Sequence, residues 1–171
     1  MNTLNSVLKI VIVHEDLITG IEATTLLSRM AAQLEAEFEI KSDTWQMDSG
    51  IWKFEMLRDP ELWEQAVAEA AAADMIIISV GDAGLPACVR HWIEKALPMK
   101  EGGPAALVAL LDRDNDTPAE PSRPEVYLRR LAGQYGLDYF CNSGDQTRRI
   151  ASGIESIVVH SESDAAVWRC H

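Results

Sequence analysis

Residues 75–80 read Met-Ile-Ile-Ile-Ser-Val, with Ala73-Asp74 before them and Gly81-Asp82-Ala83-Gly84 after. A run this short, β-branched and almost wholly apolar predicts a strand buried on both faces, because a strand with one wet face would alternate apolar and polar residues. Two more runs share the character: Val7 to Val13 (VLKIVIV) and Ala105 to Leu111 (AALVALL). Sheets covered on both faces are typically parallel, and parallel neighbours need helical crossovers between them. The intervening segments supply those helices.

After the first run, Ile21, Leu26, Leu27, Met30 and Leu34 recur with helical period. Thr19 and Glu22 form a T-x-x-E capping box, so a helix is expected from about Gly20 to Glu35. Asp59-Pro60-Glu61 combines an N-cap carboxylate with proline at the first helical position and predicts a helix ending near Ala73. Pro86 opens a third helix carrying Val89, Trp92, Ile93 and Ala96, and Ser122-x-x-Glu125 caps a fourth that Gly136 stops. Phe38 to Ile40 reads as the second strand, Ser42 to Leu57 as an irregular stretch, Leu137 to Cys141 as a weaker strand, and Ile150, Ile154, Ile157 and Val158 as a last helix. Five strands alternating with helices through right-handed crossovers fit a doubly wound α/β fold. The expected architecture is a flavodoxin-like three-layer sandwich whose parallel sheet has the order 2-1-3-4-5, a single domain spanning residues 1–171.

The bulk properties narrow the partners. At 171 residues, 47% hydrophobic and 25% charged, the chain can bury one full core. Its formal net charge of -12 repels polyanions, which argues against nucleic acid and anionic membranes and leaves small molecules or proteins. No run approaches the roughly 18 apolar residues of a membrane span, and no basic segment leads into an apolar signal, so a cytoplasmic location is expected. Cys88, Cys141 and Cys170 form no CxxC pair and read as reduced thiols.

In an open α/β sheet the ligand crevice lies beyond the carboxyl ends of the strands, at the switch between strands one and three. Here that means the loops at 14–20, 79–85, 112–123 and 141–146. The candidate binding residues are His14, Asp16, Thr19, Gly20, Ser79, Val80, Gly81 and Asp82.

At the third strand, Ala73-Asp74-Met75-Ile76-Ile77-Ile78-Ser79, then Gly84-Leu85-Pro86-Ala87-Cys88-Val89 and Trp92-Ile93-Glu94-Lys95-Ala96-Leu97, the chain resembles the NADPH-dependent FMN reductase family. Gly103-Pro104-Ala105-Ala106-Leu107-Val108 sits where the fourth strand of that family begins, and the resemblance covers roughly the first 110 residues. It implies a flavodoxin-like fold, FMN as cofactor and NAD(P)H-dependent flavin reduction. The departures fall at the functional positions. Where the family has a T-P-E-Y-N stretch against the flavin ring, this chain has Ser79-Val80-Gly81-Asp82-Ala83. Where it holds the FMN phosphate with hydroxyls and an arginine, this chain has Glu15 and Asp16. The chain also looks like a group of uncharacterised bacterial proteins, a likeness that brings no function with it.

Other constellations are weaker. Glu15, Asp16 and Asp82 could meet as a divalent-cation pocket, but loop acids and helix caps account for them. A receiver reading fails because Ser79 or Val80 stands at the phosphoacceptor position. Asp112-x-Asp114-x-Asp116-Thr117 lacks the glycine and glutamate of a calcium loop and reads as a flexible acidic loop. Cys88 and His91 supply half a tetrahedral metal site with no second pair. His14, at the crevice mouth, is a candidate general base, though a lone histidine is more often structural. No G-x-S-x-G, Walker, G-x-G-x-x-G or H-E-x-x-H motif occurs. Trp45, Trp52, Phe54 and Trp63 read as core packing, with a homodimer interface or a cover over the crevice as the alternatives.

Two functional readings follow. In the first, FMN or another small planar ligand occupies the crevice, its ring on the backbone amides of Val80, Gly81 and Asp82 and its phosphate on Thr19, Gly20 and the first helix amides. In the second, the chain is a cofactor-free scaffold or regulatory domain acting through protein partners or oligomerisation, and the acidic first loop favours it.

Overall fold

The computed structural model describes residues 6–37, 45–81, 84–100, 105–111 and 123–141. Strand β1 (Ser6–His14) leads to helix α1 (Leu17–Glu37), and β2 (Trp45–Lys53) passes through a 3-10 turn, Phe54–Arg58, into α2 (Pro60–Ala72). Then follow β3 (Met75–Val80), α3 (Ala87–Ala96), a second 3-10 turn at Leu97–Met99, β4 (Ala106–Leu111), α4 (Arg123–Tyr135) and β5 (Asp138–Cys141). All four strand pairings are parallel and the sheet order is β2-β1-β3-β4-β5, the flavodoxin-like order expected from the alternation.

Every residue of β3 and of β4 is buried, because helices cover both faces of the central sheet. Side chains alternate between two cores. Val11, Val13, Ile76, Ile78, Leu107 and Ala109 meet α2, α3 and α4 through Val67, Ala70, Trp92, Ile93, Leu128 and Leu131. Ile10, Ile12, Met75, Ile77 and Val108 meet α1 through Ala23, Leu27 and Met30. Trp92 is wholly buried, and truncating so large a side chain in a close-packed core costs about 3–5 kcal/mol.

The helix termini largely follow their sequence signals. Asp59 caps α2, its carboxylate accepting the Glu61 amide at 3.0 Å with Pro60 behind it. Gly136 (φ 71°) ends α4, and Leu137 N–H closes back on the Ala132 carbonyl at 2.8 Å in a Schellman turn.

The second strand departs from expectation. Trp45–Lys53 lies within the stretch read as irregular, while Phe38 to Ile40 falls outside the described residues. An edge strand has one ladder partner and partly wet faces, so it carries no continuous apolar run, and Asp48-Ser49-Gly50 resembles a turn. Gly50 has a packing reason: a Cβ there would collide with the Glu69 carboxylate, which accepts the Trp52 indole N–H at 2.8 Å. Trp52 and Phe54 are core residues and Trp63 packs half-buried against them, so these aromatics are used in packing. The loop at 112–122, the capping serine Ser122 and the helix expected around Ile150 to Val158 lie outside the described residues.

Candidate functional site

β1 and β3 end side by side. His14 pairs with Ser79, and Glu15 N–H continues the ladder to the Ser79 carbonyl at 3.2 Å. The chain leaves these strands in opposite directions, β1 toward β2 and β3 toward β4, which opens the crevice between them.

At the α1 side of this crevice the first helical turn is closed by its own residues. The Asp16 carboxylate accepts the Thr19 amide at 2.9 Å, and the Asp16 amide donates to Thr19 Oγ1 at 2.9 Å. This reciprocal box lies three residues upstream of the one predicted, and the helix begins at Leu17 instead of near Gly20. Aspartate is at least as good an N-cap as threonine, and Thr19 can then serve as the return partner. Thr19 is buried, with its hydroxyl committed to Asp16, including a contact of 3.0 Å to the Asp16 carbonyl. Hydrogen bonding from the Thr19 amide holds the Asp16 carboxyl below the usual carboxylate range, with smaller help from the Thr19 hydroxyl, the Ile18 amide and His14.

At the β3 side, Gly81 N–H donates to Glu15 Oε2 at 2.5 Å. A Cβ on Gly81 would stand 2.9 Å from that oxygen, so glycine here permits the close approach. Glu15 thus reaches from the end of β1 to the amide after β3. The sequence marked Glu15 as a loop acid opposed to a phosphate and as a possible cation ligand; its pairing with Gly81 follows from the strand register, which no local pattern encodes.

His14 is tied down as well. Its Nδ1 lies 2.7 Å from the Asp16 carbonyl, which can only accept, so Nδ1 is the donor in this bond. The ring rests on Gly20, where a Cβ would fall 3.0 Å from Cε1 and Nδ1. Ser79 is fully buried, and its Oγ has no hydrogen-bond partner among the described residues. The Val80 side chain packs into the core shared with α2, α3 and α4. Asp82 lies outside the described residues.

The structure therefore brings together His14, Glu15, Asp16, Thr19, Gly20, Ser79 and Gly81. Among the described residues no three His, Cys, Asp or Glu side chains are placed to hold a metal ion, and Cys88 with His91 gains no further ligand there. Cys88 and Cys141 are free thiols. Beside the crevice, Leu17, Ile18 and Ile21 present an apolar patch on the first turns of α1, 73%, 68% and 55% exposed. Three adjacent side chains that open are more than the scattered exposure normal for a surface.

The FMN phosphate does not fit these residues. The oxygen acceptor of the first α1 turn is already Asp16, and the hydroxyl that could have helped is bonded to it. A dianion placed there also meets Glu15, a repulsion of about 3 kcal/mol or more in a half-solvated crevice. No arginine is bonded to either acid to offset it among the described residues.

No protein-family model matches the chain, and no curated protein matches it in sequence. Among solved structures it is similar to the Trp repressor binding protein from Bacillus subtilis, at 11% identity and a TM-score of 0.40, over 81% of this chain and 85% of that one. No helix among the described residues is long and apolar enough to cross a membrane.

Proposed function

We propose that this chain is a flavodoxin-like module that works without FMN and acts by binding a protein partner at the carboxyl edge of its sheet. The observation that carries the proposal is the pair of carboxylates at the switch point. Glu15 takes the Gly81 amide and Asp16 takes the Thr19 amide, the two kinds of donor that a flavin ring and its phosphate would need. Each bond is charge-assisted, so a ligand must displace it before gaining anything.

The partner's chemistry follows from the rim. Leu17, Ile18 and Ile21 offer apolar anchors, and Glu15, Asp16 and Glu22 surround them with negative charge in a chain of net charge -12. Such a surface suits a partner with exposed apolar side chains among lysines and arginines. A second copy of this chain would bring like charges together.

The test is optical. Freshly purified protein should show no flavin absorbance, and FMN fluorescence should stay unquenched as protein is added to about 100 μM. A yellow protein, or saturable quenching with a micromolar constant, would return the crevice to the flavin reading and justify assays of NAD(P)H oxidation.

A further inference from the structure

A second concavity opens on the other face of the sheet, between the turn that follows β3 and the start of α4. It has a volume of about 330 Å³ and is lined by Gly84, Leu85, Arg90, Pro124 and Tyr127. That places it at the small end of ligand sites, which run from about 300 to 1,000 Å³.

Its walls are mostly apolar. Leu85 comes from the β3–α3 turn, where Gly84 adopts φ 78° and a Cβ would meet nothing within 4 Å, and Pro124 and Tyr127 come from α4. The phenol is already committed, donating to Glu94 Oε1 at 2.6 Å, and burial together with Glu94 keeps it protonated far above neutral pH. What the cavity shows its contents is therefore the ring and not an acid.

Arg90 differs from the other lining residues. Its guanidinium is exposed and, among the described residues, makes no ion pair or hydrogen bond. Arg130 lies over the Tyr127 ring, 5.8 Å from its centroid, and adds a second positive charge nearby. The amino end of α3, which follows Leu85 and Pro86, has no side-chain cap, so its dipole also favours an anion. Among the described residues the acid bonded to the cleft wall is Glu94, whose Oε1 already accepts from the phenol.

We propose that this cleft binds a small organic carboxylate, with a flat or branched apolar body against Leu85, Pro124 and Tyr127 and its carboxylate on Arg90. None of these lining residues is among those that bind the two carboxylates at the α1 side of the crevice, so the fate of this site and that of the cofactor-free reading are separable.

Benzoate, phenylacetate and 3-methylbutanoate serve as probes, with benzamide as the neutral counterpart of the first. Each is titrated into the full-length 15N-labelled protein to about 10 mM while amide shifts are followed. At least one acid should shift Gly84, Leu85, Arg90 and Tyr127 saturably, with a Kd of about 1 mM or tighter. Benzamide should bind about tenfold more weakly or not at all, and Arg90→Gln, on an exposed side chain, should weaken the acid by about tenfold while leaving the spectrum elsewhere unchanged. Leu85→Trp, which fills the cavity, should abolish the shifts. The proposal is overturned if no acid gives saturable shifts at these residues, if benzamide binds as well, or if Arg90→Gln binds as the parent does.

Discussion

The packing of His14 on Gly20 allows a quantitative test of how firmly the crevice is locked. Gly20 sits inside α1, where replacing glycine by alanine ordinarily stabilises a helix by about 1 kcal/mol. Here the added methyl would lie 3.0 Å from His14 Cε1 and Nδ1 and 3.3 Å from Cγ, against the roughly 3.5–4.0 Å of a comfortable contact. The ring must retreat by about half an ångström, and it is pinned by the 2.7 Å bond from Nδ1 to the Asp16 carbonyl. Losing that bond costs about 1 kcal/mol, and residual crowding at a half-buried site adds about 1 more. Gly20→Ala should therefore destabilise the protein by about 1 kcal/mol. In a His14→Ala background the clash is gone, and the same substitution should stabilise by about 1 kcal/mol. The coupling between the two positions is then about 2 kcal/mol, well above additive behaviour. Urea denaturation of the parent, both single variants and the double variant measures it directly. Equal effects of Gly20→Ala in the two backgrounds would refute the contact and leave His14 free to act as a base.

Further expectations concern the caps and the termini they hold. Because the folded-state pKa of Asp16 lies below its ordinary value of 3.8, its stabilising contribution is complete above that value and is lost as the pH falls through the depressed one. Denaturation midpoints of Asp16→Asn should thus fall less steeply than those of the parent on the acid side, and parallel acid limbs would contradict the capping role. Asp59→Ala should cost about 1 kcal/mol in urea denaturation through loss of the α2 cap, with no effect on anything bound at the crevice. Lys100 Nζ donates to the carbonyls of Ala70, at 3.1 Å, and Ala73 at the end of α2, so Lys100→Met should cost about 1–2 kcal/mol. A neutral result would mean that water satisfies those carbonyls equally well.

The fold was legible because its central strands carry no mixed message. Met75–Val80 and the runs around Val11 and Val108 are apolar on both faces, and such strands admit few arrangements beyond a covered parallel sheet. The edge strand was not, since Trp45–Lys53 includes the turn-like Asp48-Ser49-Gly50, and the reason for a glycine there, room for Glu69 of α2, is visible only in the packing. The site was half legible. Topology placed His14, Thr19, Gly20, Ser79 and Gly81 together, as the strand order alone demands. Their alliances were not readable: Thr19 pairs backward with Asp16 instead of forward with Glu22, and Glu15 reaches 66 residues along the chain to Gly81. Acidic residues in a loop announce charge, but which amide they satisfy is fixed only once two strands lie in register.

The most direct measurement is the backbone amide spectrum of 15N-labelled protein with and without FMN at about 1 mM. With Glu15 on Gly81 and Asp16 on Thr19, the Gly81 and Thr19 resonances should stay in place throughout the titration. Saturable movement of both would show that the flavin displaces the two carboxylates, and would contradict the cofactor-free account.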